Sequence, residues 1–265
     1  MRISVITVNF NNKDGLIKTI ESVLEQTYKN IEYIIIDGNS TDGSKDVIEN
    51  IKEHLSYCVS EKDNGIYDAM NKGIKQATGD YCLFLNSGDF FVTKNVLSQI
   101  FFNKTYSNDL LIGRQKFINE KGKISESPYI RIQELDMAYF ITSTLPHQAT
   151  FIKRSTLVEY GMYNTNYRIV ADWIFWIEAI VKHKCSIKLL PEHISYMEKG
   201  GISNDMSNCY NEMEKYLTIC QQEGYLKWED IFTISKQARN YVIAKRNKIS
   251  DFILKAIIWV NKYKK

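Results

Sequence analysis

Two long apolar runs near the start of the chain each end in a turn that carries an aspartate. The run Ile31–Ile36 leads into Asp37, and the run Tyr81–Leu85 leads into the turn Asn86–Asp89. A strand that is apolar at almost every position is typical of a parallel sheet covered on both faces. Because open α/β sheets bind ligands at the carboxyl ends of their strands, both aspartates are predicted to lie at a binding edge.

The segments around these runs alternate between strand and helix patterns. The predicted strands are Ile3–Val8, Ile31–Ile36, Leu55–Ser60 and Tyr81–Leu85, and the predicted helices are Asp14–Gln26, a helix from caps at residues 40–42 to about His54, and Ile66–Ala77. This alternation predicts an α/β fold with a mostly parallel, Rossmann-like sheet, right-handed crossovers and helices on both faces.

After Asn95 the pattern is looser. It predicts strands at Leu110–Gly113, Arg114–Ile118, Gln148–Ile152 and Ser186–Leu190, and helices at Ile130–Phe140 and Trp173–Lys182. From Ser203 onward it predicts two or three helices, at about Met206–Glu223, Trp228–Lys245 and Ile249–Lys262. We therefore expect a main α/β domain over residues 1–205 and a C-terminal helical extension over residues 206–265.

Composition narrows the class of protein. The chain has 265 residues and a net charge of +3, which is too small to indicate nucleic-acid binding, so no nucleic-acid partner is expected. The five cysteines form no CxxC pair, which favours reduced thiols over a disulfide framework or a zinc site. Since the first residues enter a strand directly, without a signal-peptide pattern, a cytoplasmic location is expected.

The turn after Asp37 resembles a P-loop only superficially. In the segment Gly38–Lys45, Ser44 precedes the lysine instead of following it, and Asp42 adds a negative charge where phosphates would lie. The simpler interpretation is a capped strand-to-helix turn. Capping does not explain the charge of Asp37 at the end of an apolar strand, so Asp37 is a candidate ligand-binding residue.

The turn Asn86–Asp89 is a candidate metal site. Magnesium and manganese prefer oxygen ligands, and commonly bind through a carboxylate together with substrate phosphates. Gly88 allows close approach of the backbone. An ordinary Asx-type turn explains the same residues equally well.

The predicted helix that starts near Ile66 has one polar face. Its core face is predicted to hold Met70 and Ile74. The residues expected at the carboxyl edge of the sheet are Asp63, Asn64, Tyr67, Asp68 and Asn71. A solvated face is the alternative, although such faces are rarely rich in tyrosine and asparagine.

Two residues in the looser half are candidates for proton chemistry or substrate binding. His147 lies between Pro146 and Gln148, and a lone histidine is more often structural than catalytic. Asp172 opens an apolar, aromatic helix, where it is either a helix cap or a general base. As a base it is expected to have a pKa raised by its apolar neighbours.

Taken together and in order, these segments resemble the inverting glycosyltransferases of family 2, which have the GT-A fold. The resemblance covers about residues 1–203 and is carried by Thr7–Asn11, Ile36–Gly43, Asp68–Ile74, Ala77–Tyr81, Leu85–Asp89 and Ala171–Asp172. The segments Glu61–Ile74, His147–Gln148 and Gly200–Ser203 look closest to members that build bacterial O-antigen and other surface polysaccharides.

The resemblance implies a UDP-sugar donor, Mg²⁺ or Mn²⁺ as cofactor, and a saccharide acceptor that is lipid-linked. It assigns Asp172 as the catalytic base and Asp89 as the metal ligand. The implied nucleotide-binding residues are Thr7, Asn9, Asp37, Asp63, Asn71 and Ser87, and the implied substrate-binding residues are Tyr67, Asp68, His147 and Gln148.

The chain departs from the family pattern at three places. Gly38 stands where the second of two adjacent aspartates is usual. Asn86 and Gly88 replace carboxylates of the metal motif, and Met70 stands where relatives have arginine. The metal and phosphate contacts are therefore the part of the resemblance that needs independent support.

The C-terminal tail is basic. From Asn240 onward seven lysines or arginines accompany a single aspartate, around the apolar segment Phe252–Val260. Such a segment is too short to span a membrane but suits the surface of an anionic one, at the inner face of the cell membrane. Packing of the tail against the main domain is the alternative.

Two other classes stay open at this point. A sugar-1-phosphate nucleotidyltransferase also combines an α/β sheet with carboxylate-bound magnesium, but it normally needs a glycine-rich basic loop near the N-terminus, which Asn9–Gly15 is not. A catalytically inactive family member acting as a binding module is the other, and the presence of both Asp89 and Asp172 argues against it. Turnover of a nucleotide sugar discriminates all three.

Overall fold

The computed structural model describes residues 1–119, 121–198 and 206–226. Its strands are β1 (Ile3–Asn9), β2 (Ile31–Asp37), β3 (Tyr57–Ser60), β4 (Tyr81–Phe84), β5 (Phe90–Phe91), β6 (Leu110–Ile118), β7 (Ile124–Glu126), β8 (Thr150–Lys153) and β9 (Ile187–Glu198). Its α-helices are α1 (Lys13–Leu24), α2 (Ser44–Asn50), α3 (Ile66–Gln76), α4 (Val96–Phe101), α5 (Met137–Thr142), α6 (Arg154–Glu159), α7 (Ala171–Trp176) and α8 (Met206–Gln222). A π-helical segment, Ile177–Lys182, continues α7, and single 3₁₀ turns lie at Lys52–His54, Ile132–Glu134 and His147–Ala149.

All nine strands belong to one sheet with the order β3-β2-β1-β4-β8-β6-β9-β5, and β7 pairs with β6. The first four strands along this order are parallel, as predicted. Beyond β4 the sheet is mixed, because β8 runs antiparallel to both β4 and β6 while β6 and β9 are parallel. Asn9 at the end of β1 lies beside Asp37 at the end of β2. The carboxyl ends of the parallel strands therefore form one continuous edge.

Both faces of the parallel strands are covered, which explains their unbroken apolar sequence. Val5 belongs to the core shared with Leu16 of α1, whereas the next residue, Ile6, belongs to the core shared with Met70 of α3. Consecutive side chains of a strand point to opposite faces, so each strand residue is buried on one side or the other. The prediction of a doubly covered sheet is confirmed.

Several predicted boundaries are wrong in the second half of the chain. The expected helix Ile130–Phe140 is a 3₁₀ turn followed by α5, because the Asp136 side chain accepts a hydrogen bond from the Tyr139 backbone N–H and starts a new helix there. The two strands predicted on either side of Gly113 are one strand, β6, with an irregular register near Arg114. The strand predicted to end at Leu190 extends to the end of β9, since it pairs along β6.

The C-terminal part of the described structure packs on the main domain. Helix α8 confirms the first of the predicted tail helices, and its residues Tyr216 and Leu217 are buried in the same core as α7. The two later predicted helices, and the segment Gly200–Ser203, lie outside the described residues. The division near residue 205 stays a prediction. Among the residues that are described, we find no helix with the length and apolar character needed to cross a membrane.

Candidate functional site

Asp37 is the anchor of the turn that follows β2. Its side chain is fully buried and accepts hydrogen bonds from Asn9 Nδ2 (2.7 Å), from the Ser40 backbone N–H (2.9 Å) and from the hydroxyls of Ser40 and Ser60. Burial acts to raise the pKa of Asp37, but these hydrogen bonds outweigh it and hold the pKa below its ordinary value. Helix α2 begins at Ser44, later than the sequence predicts, and its N-cap position is Gly43 and not one of residues 40–42.

An exposed aromatic ring and a carboxylate lie over Gly38. A Cβ atom at Gly38 would lie 3.1 Å from Asp63 Oδ2 and 3.1 Å from Phe10 Cδ2, so these two side chains face the space that a glycine leaves open. Asp63 is paired with Lys72 Nζ at 2.5 Å. Phe10 is 67% exposed although it directly follows β1. Phe10 is not among the site residues predicted from the sequence. The position of Phe10 directly after a buried strand is the signal that could have found it.

Three of the predicted nucleotide-binding residues have internal partners. Thr7 is fully buried, donates to the Leu85 carbonyl oxygen (2.8 Å) and lies 3.1 Å from the Tyr33 hydroxyl. The amide of Asn71 binds the backbone carbonyl and N–H of Tyr163, at 2.8 and 3.0 Å. Asn9 is buried against Asp37. These contacts give the three residues a supporting role, and direct contact of each with a nucleotide stays a prediction.

The turn Asn86–Asp89 is held by hydrogen bonds to Thr19 of α1. The Thr19 hydroxyl oxygen lies 2.7 Å from the Asp89 carbonyl oxygen and accepts from the Gly88 N–H at 3.0 Å. Gly88 has φ 102°, a conformation that favours glycine. Adding a side chain there would strain the turn.

The oxygen atoms of this turn suit a hard cation. Asn86 Oδ1 and Ser87 Oγ are buried and have no hydrogen-bond partner among the described residues, and the Asp89 side chain follows them in the same turn. Carboxylate, amide and hydroxyl oxygens are ligands that Mg²⁺ and Mn²⁺ accept. No group of three or more His, Cys, Asp or Glu residues suited to a metal occurs in the part of the chain that the structure describes. A cation here would need further ligands from a bound substrate.

Asp172 lies at the start of α7 and is held by residues from distant parts of the chain. The hydroxyl of Tyr67, 105 residues away, lies 2.7 Å from Asp172 Oδ1, and the Trp173 backbone N–H donates to the same oxygen at 2.9 Å. His147 Nδ1 lies 3.1 Å from Asp172 Oδ2. Asp172 is not the helix cap, because that position is taken by Val170.

The pKa of Asp172 is lowered, so the expectation of a raised pKa is wrong. Burial acts in that direction, but the hydrogen bonds from His147 and Tyr67 outweigh it and lower the pKa. For His147 burial acts to lower the pKa, and the contact with Asp172 outweighs it and raises the pKa above 6.5. The two residues therefore stabilise each other as an ion pair, which the sequence alone could not show.

His147 connects Asp172 with the turn Asn86–Asp89, since its Nε2 atom lies 3.4 Å from Asn86 Nδ2. The other two predicted substrate-binding residues have hydrogen-bond partners within the fold. Gln148 is buried, with Oε1 accepting from Gln115 Nε2 (3.1 Å) and Nε2 lying 3.3 Å from Met197 Sδ. Asp68 accepts from the Asn64 backbone N–H (3.0 Å) at the start of α3. Their substrate contacts stay predictions.

Comparison with known proteins shows which family the chain matches. Residues 4–161 match the profile described as "Glycosyl transferase family 2", a span that includes Asp37, Asp89 and His147 and ends before Asp172. An uncharacterised glycosyltransferase of Mycobacterium tuberculosis, MT1564, is 34% identical over 192 residues, which cover 67% of this chain and 68% of that protein.

Two further proteins match part of the chain or its fold. Over 106 residues, 39% of this chain and 41% of the relative, it is 43% identical to WfaP of Escherichia coli, described as a UDP-Glc:α-D-GlcNAc-diphosphoundecaprenol β-1,3-glucosyltransferase. The solved structure of TarS residues 1–349 from S. aureus in complex with UDP-GlcNAc has a TM-score of 0.63 at 18% identity, covering 77% of this chain and 61% of TarS. This chain therefore spans less than two thirds of the TarS chain. The chain belongs to glycosyl transferase family 2 and has the GT-A fold.

Proposed function

We propose that the protein is an inverting glycosyltransferase that moves a sugar from a UDP-sugar to a lipid-linked saccharide, in the synthesis of a bacterial surface polysaccharide such as O-antigen. One observation carries this proposal: His147 lies 3.1 Å from Asp172 and 3.4 Å from Asn86, so the candidate base and the turn of the candidate metal site flank the same histidine. The described activity of WfaP, which uses UDP-Glc and a diphosphoundecaprenol-linked sugar, supports the donor and acceptor classes.

The donor nucleoside is assigned to the edge formed by Phe10, Gly38 and Asp63. The exposed ring of Phe10 offers a stacking surface for the base, and the absence of a side chain at Gly38 leaves room beside it. The Asp63 carboxylate is proposed to accept an N–H of the base. Asp37 and Asn9 shape this edge from inside, since their polar atoms bind each other.

Asp89, together with Asn86 Oδ1 and Ser87 Oγ, would hold Mg²⁺ or Mn²⁺. The cation would neutralise the charge that develops on the departing nucleoside diphosphate. With one carboxylate in the turn, the affinity for metal is expected to be low until the diphosphate supplies its own oxygens. Full activity in excess EDTA would contradict this assignment.

Asp172 is proposed to accept the proton of the acceptor hydroxyl. Its lowered pKa keeps it ionised, and Tyr67 and His147 hold the orientation of both carboxylate oxygens. Attack by the deprotonated hydroxyl on the anomeric carbon, opposite the leaving diphosphate, inverts the configuration in one step without a covalent intermediate. His147 and Asp68 are proposed to contact the saccharide, and Gln148 to support His147 from inside the sheet.

The site of action is proposed to be the cytoplasmic face of the cell membrane, where a lipid-linked acceptor would be reached. The excess of basic residues after Asn240 supports contact with anionic lipid. Co-sedimentation with liposomes of anionic lipid should be weaker for a chain that ends near Lys245 than for the full chain. Equal co-sedimentation would leave the tail without a membrane role.

A panel of nucleotide sugars tests the function most broadly. We expect one UDP-sugar to raise the melting temperature and to be turned over in the presence of a saccharide-diphosphate lipid. A nucleotidyltransferase would instead join a nucleoside triphosphate to a sugar phosphate, and an inactive family member would bind a nucleotide sugar without turnover. Either result would contradict the proposal.

A further inference from the structure

A carboxylate from α8 reaches the loop that precedes α7. Glu212 accepts hydrogen bonds from three consecutive backbone N–H groups, those of Arg168 (2.9 Å), Ile169 (2.9 Å) and Val170 (3.3 Å). Hydrogen bonds to an ionised acceptor are about twice as strong as those between neutral groups. Three of them on neighbouring amides fix the conformation of this loop.

The loop of residues 168–170, which Glu212 binds, contacts the residues that surround Asp172. The carbonyl oxygen of Ile169 lies 2.8 Å from the Tyr67 hydroxyl, the same hydroxyl that contacts Asp172. The carbonyl of Val170 accepts from the Ile174 N–H and so forms the first turn of α7. Val170 has no side chain that could cap the helix, and the nearby Glu212 carboxylate places negative charge at the positive end of its dipole. Any shift of this loop would therefore move Tyr67 relative to Asp172.

Helix α8 is in turn positioned by the segment that carries Asp172. Tyr216, one helical turn after Glu212, packs its ring edge against Trp173 with centroids 5.9 Å apart. The Tyr216 hydroxyl donates to Glu178 of the π-helical segment. Glu212 and Asp172 therefore belong to one packed unit, although 40 residues separate them in sequence.

We propose that Glu212 is a positioning residue for Asp172: by holding the amides of residues 168–170, it sets the carboxylate at the angle required for proton transfer. The inference rests on the proposed function, because it assigns the loop a role in that reaction. It also makes α8 part of the catalytic unit and not an appendage, and the family profile, which ends at residue 161, does not include it.

The test compares Glu212→Ala and Glu212→Gln with Glu214→Ala, which removes an exposed carboxylate from the same helix. Amide hydrogen exchange is measured for a peptide containing residues 168–170, and kcat and KM are measured with UDP-glucose and UDP-GlcNAc. In Glu212→Ala we expect exchange of these amides to rise about ten-fold or more, and kcat to fall about 10–100-fold with the donor KM unchanged. Glu212→Gln, which keeps one acceptor oxygen, should lie between, and Glu214→Ala should match the wild type.

Tyr216→Phe separates positioning from a merely structural role. It removes the hydroxyl bond to Glu178 but keeps the ring against Trp173, so it should lower the melting temperature with little change in kcat. If Glu212→Ala leaves exchange at residues 168–170 unchanged, or raises it without lowering kcat, the inference is overturned. Equal loss of kcat in Tyr216→Phe and Glu212→Ala at equal loss of stability would also overturn it. If the wild type turns over no UDP-sugar of the panel, the proposed function fails, and hydrogen exchange alone still decides whether Glu212 holds the loop.

Discussion

The polar surroundings of Asp37 and those of Asp172 are built in different ways. Around Asp37, every partner lies at the end of a parallel strand or in the turn that follows, as with Asn9, Ser40 and Ser60. Around Asp172, the partners come from α3 and from the 3₁₀ turn before β8. The loop that precedes α7 is bound by Glu212 of α8. The first centre is a local property of strand ends, whereas the second exists only when distant segments pack together.

This difference predicts how each centre responds to substitution. A local centre is expected to fail through stability, because its buried groups lose the acceptor that they share. A centre assembled over long range is expected to fail through geometry, with the fold retained and the chemistry lost.

Asp172→Asn should give the largest effect. The change keeps the shape of the side chain but removes the proton acceptor, and general-base catalysis is worth about 10²–10⁴-fold. We therefore expect kcat to fall by that order while the affinity for UDP, measured by calorimetry, stays near the wild-type value. Near-normal turnover in Asp172→Asn combined with complete loss in His147→Ala would instead make His147 the base.

Asp37→Ala should act mainly on stability. It leaves the N–H and the hydroxyl of the buried Ser40 without their acceptor and removes one of the two acceptors of the Asn9 amide, and each unpaired buried group costs about 1–3 kcal/mol. We expect urea unfolding to show a loss of about 3 kcal/mol or more. Asp46→Ala, an exposed position on α2, should change stability by less than about 0.5 kcal/mol. Similar losses in the two variants would show that Asp37 is not the anchor of its turn.

Phe10→Ala should weaken nucleotide binding without affecting stability. Stacking of a base on an aromatic ring is worth about 1–3 kcal/mol, so the Kd for UDP should rise roughly ten-fold or more. Phe102→Ala is the matched control, because Phe102 is exposed to nearly the same extent, 65% against 67%, but lies after α4. An unchanged Kd in Phe10→Ala would remove Phe10 from the nucleoside site.

The His147–Asp172 pair should make stability depend modestly on pH. Because the folded state raises the pKa of His147 above 6.5, its contribution is fully present below that pH and is lost as pH rises through the folded-state pKa. The difference in unfolding free energy between the wild type and His147→Asn should therefore be larger at about pH 5.5 than at about pH 9. Asp172, whose pKa is lowered, loses its contribution only in strong acid. A difference that grows with pH would mean that the two groups do not form an ion pair.

The same contrast explains how much of the molecule could be predicted from the sequence. The parallel strands and the carboxylates that follow them can be read from local patterns, so Asp37 and Asp89 lie after the expected strands, and their binding roles stay predictions. The pKa of Asp172 was predicted in the wrong direction because Tyr67 and His147 are donors that no local pattern reveals. Glu212 was missed because a carboxylate bound to backbone amides is a property of the folded chain, whereas Phe10 could have been found from its position directly after a buried strand.

Burial also changed the meaning of residues that the sequence did identify. Thr7, Asn71 and Gln148 carry polar groups at the expected positions, but their hydrogen-bond partners are backbone atoms and side chains of the fold itself. A polar residue at a strand end or on a helix face can point to the cleft or away from it. The direction depends on contacts between segments far apart in sequence, which no local pattern predicts.

The proposed reaction is a single displacement at the anomeric carbon, between the turn of Asp89 and the base Asp172. The most direct test is the anomeric configuration of the product, determined by NMR after transfer from UDP-glucose or UDP-GlcNAc, both α-linked donors, to a saccharide-diphosphate lipid. The account predicts a β-linked product from the wild type and almost none from Asp172→Asn. An α-linked product, or equal yields from the two proteins, would contradict it.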